Sequence, residues 1–355
     1  MRVIEYTPAC FPEVSAALSG IGVANALLHS EDFLRHQYFG HPSSRLWLLR
    51  DRNEQLAGLL AVEQVRLEIA GTEIAATVGS NTYSIVPGAF AFLLLHWMRS
   101  ADVGLILPGN PNLEAIVSNS SRWHRVAGLR AFHLNWSAAS PPNAPAWRKA
   151  LRPLVRRIRR RDPAVIARRV ARMHRGVLDV HEVSEFSDDM LCRKGSFGFR
   201  AVADLDYLNW RYCTDLAHVC YRIFRIVQAA TTRGYVVLAE WPHRLVVAHC
   251  DGDDPEILAR GVLLAIAVVN RGEQCFRQVA LTSMHARMNA IYREHGFVPD
   301  PRERPFFISS FRDPARMFEP ADGWLVNVDL GDYGALLGTH YTPDREHLIS
   351  GGASR

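Results

Sequence analysis

Two side chains with the chemistry of proton acceptors lie on neighbouring strand-like runs of this 355-residue chain: His249 ends the run 244–249, and Glu240 sits on the run 235–241 before it. Imidazole titrates near neutral pH, so a histidine at a strand end suits a general base, and a hydrogen-bonded structural histidine fits the same position. Asn81 and Tyr83 alternate along a third run, 74–86, and so share one face, as a polar binding wall or as ordinary strand polarity. The densest group is Asp206, Tyr207, Asn209, Trp210, Arg211 and Tyr212. Aromatic faces with polar tips bind sugars or peptide-like substrates, and Trp210, Arg211 and Tyr212 are the candidates for that role. The same residues also suit a core anchor with Arg211 in an internal ion pair.

Several chemistries lack their motifs. The chain has no Gly-x-Ser-x-Gly elbow, His-Glu-x-x-His pair, Walker loop or dinucleotide fingerprint. His36 and His41 are five residues apart, off a common helical face, so no metal site is expected. The six cysteines form no Cys-x-x-Cys pair, and their scatter fits free thiols in a reducing compartment.

The elements that must position these residues follow from patterning. Hydrophobic residues make up 48% and charged residues 22%, which excludes a disordered chain, a fibre and a disulfide-dense mini-protein. The net charge is +5, and 39 of the basic residues are arginines against two lysines, spread too widely to select a partner. The opening residues carry Glu5 and Pro8 where a leader needs an apolar run, and the longest apolar stretch, 85–98, is too short to span a bilayer. A cytoplasmic location is expected.

Residues 1–136 read as one α/β unit. Strands are expected at 2–6, 46–50, 56–65, 65–69 and 74–86. A helix capped by Ser30 ends at His41-Pro42, and another follows the Pro87-Gly88 break. A strand at 103–107, a helix from Asn110-Pro111 and a closing strand at 129–136 complete it. Residues 137–176 form a Pro-rich, then Arg-rich linker, with Leu154, Val155 and Ile158 striped among the arginines of 152–161. That pattern fits a solvated basic face or, over 148–175, peripheral contact with an anionic membrane; nucleic acid is not expected, because no recognition motif accompanies it. Residues 177–341 repeat the element order of the first unit, with final strands at 306–310 and 324–328, and 342–355 form a tail. A diverged internal duplication accounts for the repeat.

The stretch SMHARMNAIYREHGF resembles the fourth helix and following turn of the GCN5-related N-acetyltransferase (GNAT) superfamily, through Asn289, Ala290, Tyr292, Gly296 and Phe297. Asn112, Ala115 and Gly128 give a weaker echo in the first unit. The 206–212 segment, and Trp324 followed by Asp329 and Asp332, look like tandem GNAT-like proteins found with bacterial polysaccharide or cell-envelope genes. The resemblance implies an α/β fold of two tandem domains, each a mixed, splayed sheet flanked by helices. It implies that an acyl-coenzyme A enters the splay with its pyrophosphate at the following helix N-terminus. Tyr292 would then protonate the leaving thiolate, with His249 or Glu240 as base.

The family's Gly-rich phosphate loop is shortened here. In the first unit Val86, Gly88 and Ala89, with Asn112 beyond, are the residues left to meet the coenzyme. In the second unit Asp251, Asp253, Asp254 and Glu256 occupy the same place, and carboxylates repel phosphate. The expected activity is acyl-coenzyme A-dependent N-acylation of an amine, such as an amino sugar or cell-envelope precursor, without a metal. The alternatives are a GNAT-fold binding or scaffold protein without coenzyme, and a FemAB-like aminoacyl or peptidyl transferase.

Overall fold

The computed structural model describes residues 1–23, 25–107, 111–135, 178–192, 196–216, 219–241, 244–270, 276, 278–311, 323–327 and 329–330. The linker 137–176 with its basic stripe, the tail 342–355 and the side chain of Asn112 lie outside the described residues.

The first half opens with β1 (Arg2–Glu5), α1 (Phe11–Gly20) and α2 (Glu31–Phe39). Ser30 caps α2 as expected, its hydroxyl accepting from the Phe33 N–H at 3.3 Å, with Glu31 and Asp32 complementing the helix dipole. Next come β2 (Ser44–Arg50), β3 (Leu56–Ile69) and β4 (Thr72–Ser84). The two runs at 56–65 and 65–69 are thus one strand, and the chain turns at Ala70-Gly71, both at positive φ. After β4 follow α3 (Ala89–Met98), β5 (Val103–Ile106), α4 (Pro111–Ser118), β6 (His124–Arg125) and β7 (Arg130–Asn135).

The second half comprises β8 (Asp179–Val183), β9 (Phe199–Val202), α5 (Leu205–Arg211), β10 (Cys220–Gln228), β11 (Thr231–Trp241) and β12 (Arg244–Gly252). It continues through α6 (Pro255–Val269), β13 (Gln278–Ser283), α7 (Ala286–Glu294), β14 (Val298–Glu303) and β15 (Phe307–Ser310).

Two mixed sheets result. One runs β1-β2-β3-β4-β5-β15-β6 with β9 also on β3; the other runs β14-β7-β13-β12-β11-β10-β8. Each contains one parallel pair, β4 with β5 and β12 with β13, and both pairs fork. β4 meets β5 only from Ala76↔Val103 to Gly79↔Ile106 and runs on to Ser84. β12 meets β13 only from Arg244↔Gln278 to Val246↔Ala280 and runs on to Gly252. A register shift marks each fork, at Leu59/Ala61 opposite β4 and at Val237/Leu238 opposite β12. The expected splay and its repetition are therefore both present.

The last strands correct the expected partition. The strand expected to close the first unit, β7, pairs with β13 and β14 in the second sheet. β15, from the second half, pairs with β5 and β6 in the first. Each sheet thus borrows a strand, and residue 136 does not divide them. Alternation fixes which face of a strand is buried but not which edge it joins. Among the described residues of the strand expected at 324–328, Trp324 makes one isolated bridge to Phe199, and the chain beyond it enters the second fork.

Helices α3 and α4 cover the outer face of the first sheet, with Trp97 buried against Trp123 and Phe311. Gly79 makes this approach possible, since a Cβ there would lie 2.6 Å from the Trp97 ring. Helices α6 and α7 cover the outer face of the second sheet with Leu258, Val262, Met288 and Tyr292. The inner faces of the two sheets share a core that includes Leu48, Leu59, Tyr235 and Val237.

Candidate active site

Where the halves meet, a cavity of about 490 Å³ is lined by Gln64 and Arg66 of β3, Ala75 to Thr77 of β4, Asp102, Asp204 and Tyr207. Its floor is Tyr212, His249 and Asp329, each less than a twentieth exposed. Thr77 is two residues from Gly79, where the first fork opens, about 7 Å along a strand.

β12 sets His249 between two ring partners. The His249 imidazole lies 3.1 Å from the Tyr235 hydroxyl through Nε2 and 3.2 Å from Asp329 Oδ1 through Nδ1. The Tyr212 hydroxyl donates to Asp329 Oδ2. One turn of α5 places Tyr207 and Arg211 beside Glu63, a residue of β3 only 1% exposed. The Tyr207 hydroxyl donates to Glu63 Oε1, and Arg211 lies 3.8 Å from Glu63 Oε2. Arg211 also donates to the Asp329 backbone carbonyl at 3.5 Å.

The charge balance follows from these contacts. One buried guanidinium, Arg211, faces two carboxyl groups, Glu63 and Asp329. Burial and the Glu63 charge hold the Asp329 carboxyl well above the usual carboxylate range, although Arg211 opposes them. Burial, reinforced by Arg211, pushes the His249 imidazole down to about 3. At neutral pH the floor therefore holds a neutral imidazole and tyrosine hydroxyls beside a carboxyl whose hold on its proton is strengthened by burial. Such a floor favours an uncharged amine over an ammonium, because a buried cation without a counter-ion is costly.

The structure gathers some of the expected residues and separates others. His249, Arg211 and Tyr212 converge on this cluster. Trp210 sits beside it, stacked on His41 with centroids 4.6 Å apart and donating to the His36 carbonyl at 3.1 Å. Asn81 donates to the Tyr38 hydroxyl at 2.8 Å, and Tyr83 packs on the inner core, so both face one side but neither lines the cavity. Glu240 is held by Arg222 at 3.3 Å. Tyr292 is buried between Phe132 and Phe297 under the outer helices, in a different core from His249's ring partners, and burial raises its phenol further. Glu63 escaped the sequence reading, although a carboxylate ending the apolar run 56–62 was a signal. Asp329 stood out only as part of the late segment.

The two expected coenzyme ends differ. Gly88, at φ 81°, caps α3 in the left-handed region, and a side chain there would meet open space. Ala89 is buried, and Val86 packs on the outer core. At α6 all four carboxylates already have partners within the chain. Asp254 caps the helix, accepting from the Glu256 and Ile257 N–H groups at 2.8 and 2.9 Å. Asp253 meets Arg233 at 2.7 Å, and Glu256 pairs with Arg260. Asp251 is buried against Arg200 at 2.9 Å, and Arg200 also bonds Glu68 of β3 at 2.7 Å, tying the two sheets together.

No family model matches the chain, and no curated protein matches its sequence. Solved structures do match, across both halves. A GCN5-related N-acetyltransferase from Anabaena variabilis ATCC 29413 aligns with a TM-score of 0.54 at 9% identity, over 87% of this chain and 72% of that one. The fold is GNAT-like. A conserved protein of Enterococcus faecalis V583, titled a probable N-acyltransferase, aligns at 0.53 and 8% identity, over 87% of this chain and 72% of that one. Saccharomyces cerevisiae N-myristoyltransferase with bound myristoyl-CoA aligns at 0.54 and 8% identity, over 87% and 82%. Among the described residues of this GNAT-like chain no helix is long and apolar enough to cross a membrane, and no cluster of side chains suits a metal.

Proposed function

We propose that this protein transfers an acyl group from an acyl-coenzyme A to an amine held in the cavity between its halves. The observation that carries this reading is the adjacency of the first fork, at Gly79, to the cavity wall at Thr77. The donor's thioester reaches the fork, its pyrophosphate lies at the N-terminus of α3 near Gly88 and Ala89, and the acceptor rests on the floor of His249, Asp329 and Tyr212. The amine nitrogen attacks the thioester carbonyl; a C–N bond forms, the C–S bond breaks, and the sulfur leaves as thiolate and takes up a proton. The neutral imidazole and tyrosine hydroxyls of the floor favour the unprotonated amine, and the proton the nitrogen sheds on acylation is the one the departing thiolate takes up. A cavity of about 490 Å³ fits an acceptor of small-molecule size, such as an amino sugar or a cell-envelope precursor. The bound myristoyl-CoA of the yeast neighbour supports an acyl-CoA donor.

Calorimetric titration with acetyl-coenzyme A and longer acyl-coenzymes tests the donor site. Gly88→Asp places a carboxylate in open space at the start of α3, at a strained positive φ that Gly88→Asn shares without the charge; the Asp variant abolishes binding and the Asn variant weakens it less, whereas Asp253→Asn at α6 leaves it unchanged. Absence of heat from the unsubstituted protein favours a GNAT-fold binding protein without coenzyme. Loss of binding only in the Asp253 variant moves the donor to the second half.

A further inference from the structure

The second fork is filled by the chain itself. Beyond Val246, the edge of β12 facing β13 has no strand partner among the described residues, and Ala248 and Cys250 on it are buried. Buried backbone N–H and C=O groups require partners, and an open strand edge takes an extended amide. Here the Asn327 carboxamide supplies both bonds: its Nδ2 donates to the Cys250 carbonyl at 2.9 Å, and its Oδ1 accepts from the Cys250 N–H at 3.0 Å. The Asp329 N–H donates to the Ala248 carbonyl at 3.3 Å. Across the gap, the Thr282 hydroxyl of β13 donates to the Val326 carbonyl at 3.4 Å. The segment thus touches both walls of the fork, and the same segment brings Asp329 to His249.

We propose that the second fork is an amide-binding site occupied in cis, with the Asn327 side chain standing where a ligand's amide would pair. An amide-bearing donor arm therefore finds no place in the second half, and the fork serves to hold Asp329 at the cavity floor. This rests on the hydrogen bonds around Cys250 and not on the acyl-transfer reading.

The Cys250 thiol donates to Asn327 Oδ1 at 3.5 Å and reports directly on the plug. Iodoacetamide labelling, read by peptide mass spectrometry with and without millimolar S-methyl-capped pantetheine, a small diamide probe with no free thiol to consume the reagent, tests the proposal. In the unsubstituted protein Cys250 stays unlabelled while exposed Cys220 reacts, and pantetheine changes neither. In Asn327→Ala, Cys250 labels at least tenfold faster, and pantetheine slows it again. Unchanged labelling in the variant overturns the proposal. If Asn327→Ala does not fold, amide exchange in the unsubstituted protein decides: the Cys250 amide is protected and unaffected by pantetheine. A pantetheine-dependent change there shows that the fork admits ligands with Asn327 in place, and overturns the proposal.

Discussion

His249 is held neutral by burial and by Arg211, while Tyr212, Tyr235 and Asp329 surround its ring. Between its ordinary 6.5 and about 3, the unfolded chain binds a proton that the folded chain refuses. Stability from this residue is thus complete above the upper value and is lost as pH falls through the window. Relative to His249→Gln, the protein loses about 1.4 kcal/mol per pH unit below ~6.5, measurable by urea titrations at several pH values. Asp251 works in the opposite sense: burial raises its carboxyl to about 7, so its contribution fades as pH rises from about 4 through 7. Burial raises the Asp329 carboxyl, so Asp329→Asn removes a costly buried acid and keeps a side chain of the same shape. The variant should unfold within a few degrees of the parent yet turn over about 100-fold more slowly, as expected where a group that orients the acceptor on the cavity floor is altered. His249 was legible in the sequence as a titratable group at a strand end. Its partner Asp329 lies 80 residues away, and no spacing rule joins a strand to a loop that far along.

Helix α5 joins the two halves through side chains. Its aromatic run was readable as a local feature of the sequence, whereas Asp204, whose side chain caps the helix, was not singled out. What the helix docks against was not readable, because Glu63 and the ring of His41 belong to the first half of the chain, Glu63 lying 144 residues before Tyr207. Removing Arg211 leaves Glu63 buried without its cation. Arg211→Met should therefore cost about 3–5 kcal/mol in chemical denaturation. Adding Glu63→Gln should restore a large part of that loss, and a double-mutant cycle measures the coupling. The acidic turn before α6 shows the converse case. Its carboxylates were visible as poor phosphate ligands, and they are spent on Arg233, Arg260, Arg200 and the helix cap.

For the whole molecule, the element order was visible because it depends on runs of apolar residues and on helix caps, and the two forks were expected from the GNAT resemblance. The exchange of β7 and β15 was not, since nothing in a short strand's own residues names the sheet edge it joins. The exchange makes each half incomplete. Halves expressed separately, cut within 137–176, should be insoluble alone and should co-purify when produced together. The central claim is that the first fork and the cavity between the halves act as one acyl-transfer site. Incubation with an acyl-coenzyme A and a panel of amino sugars, following free thiol release and product mass together, tests this most directly. The account predicts release that depends on the acceptor, a product heavier by the acyl group, and loss of both in Asp329→Asn. Equal thiol release with and without acceptor, or turnover unaffected by Asp329→Asn, would contradict it.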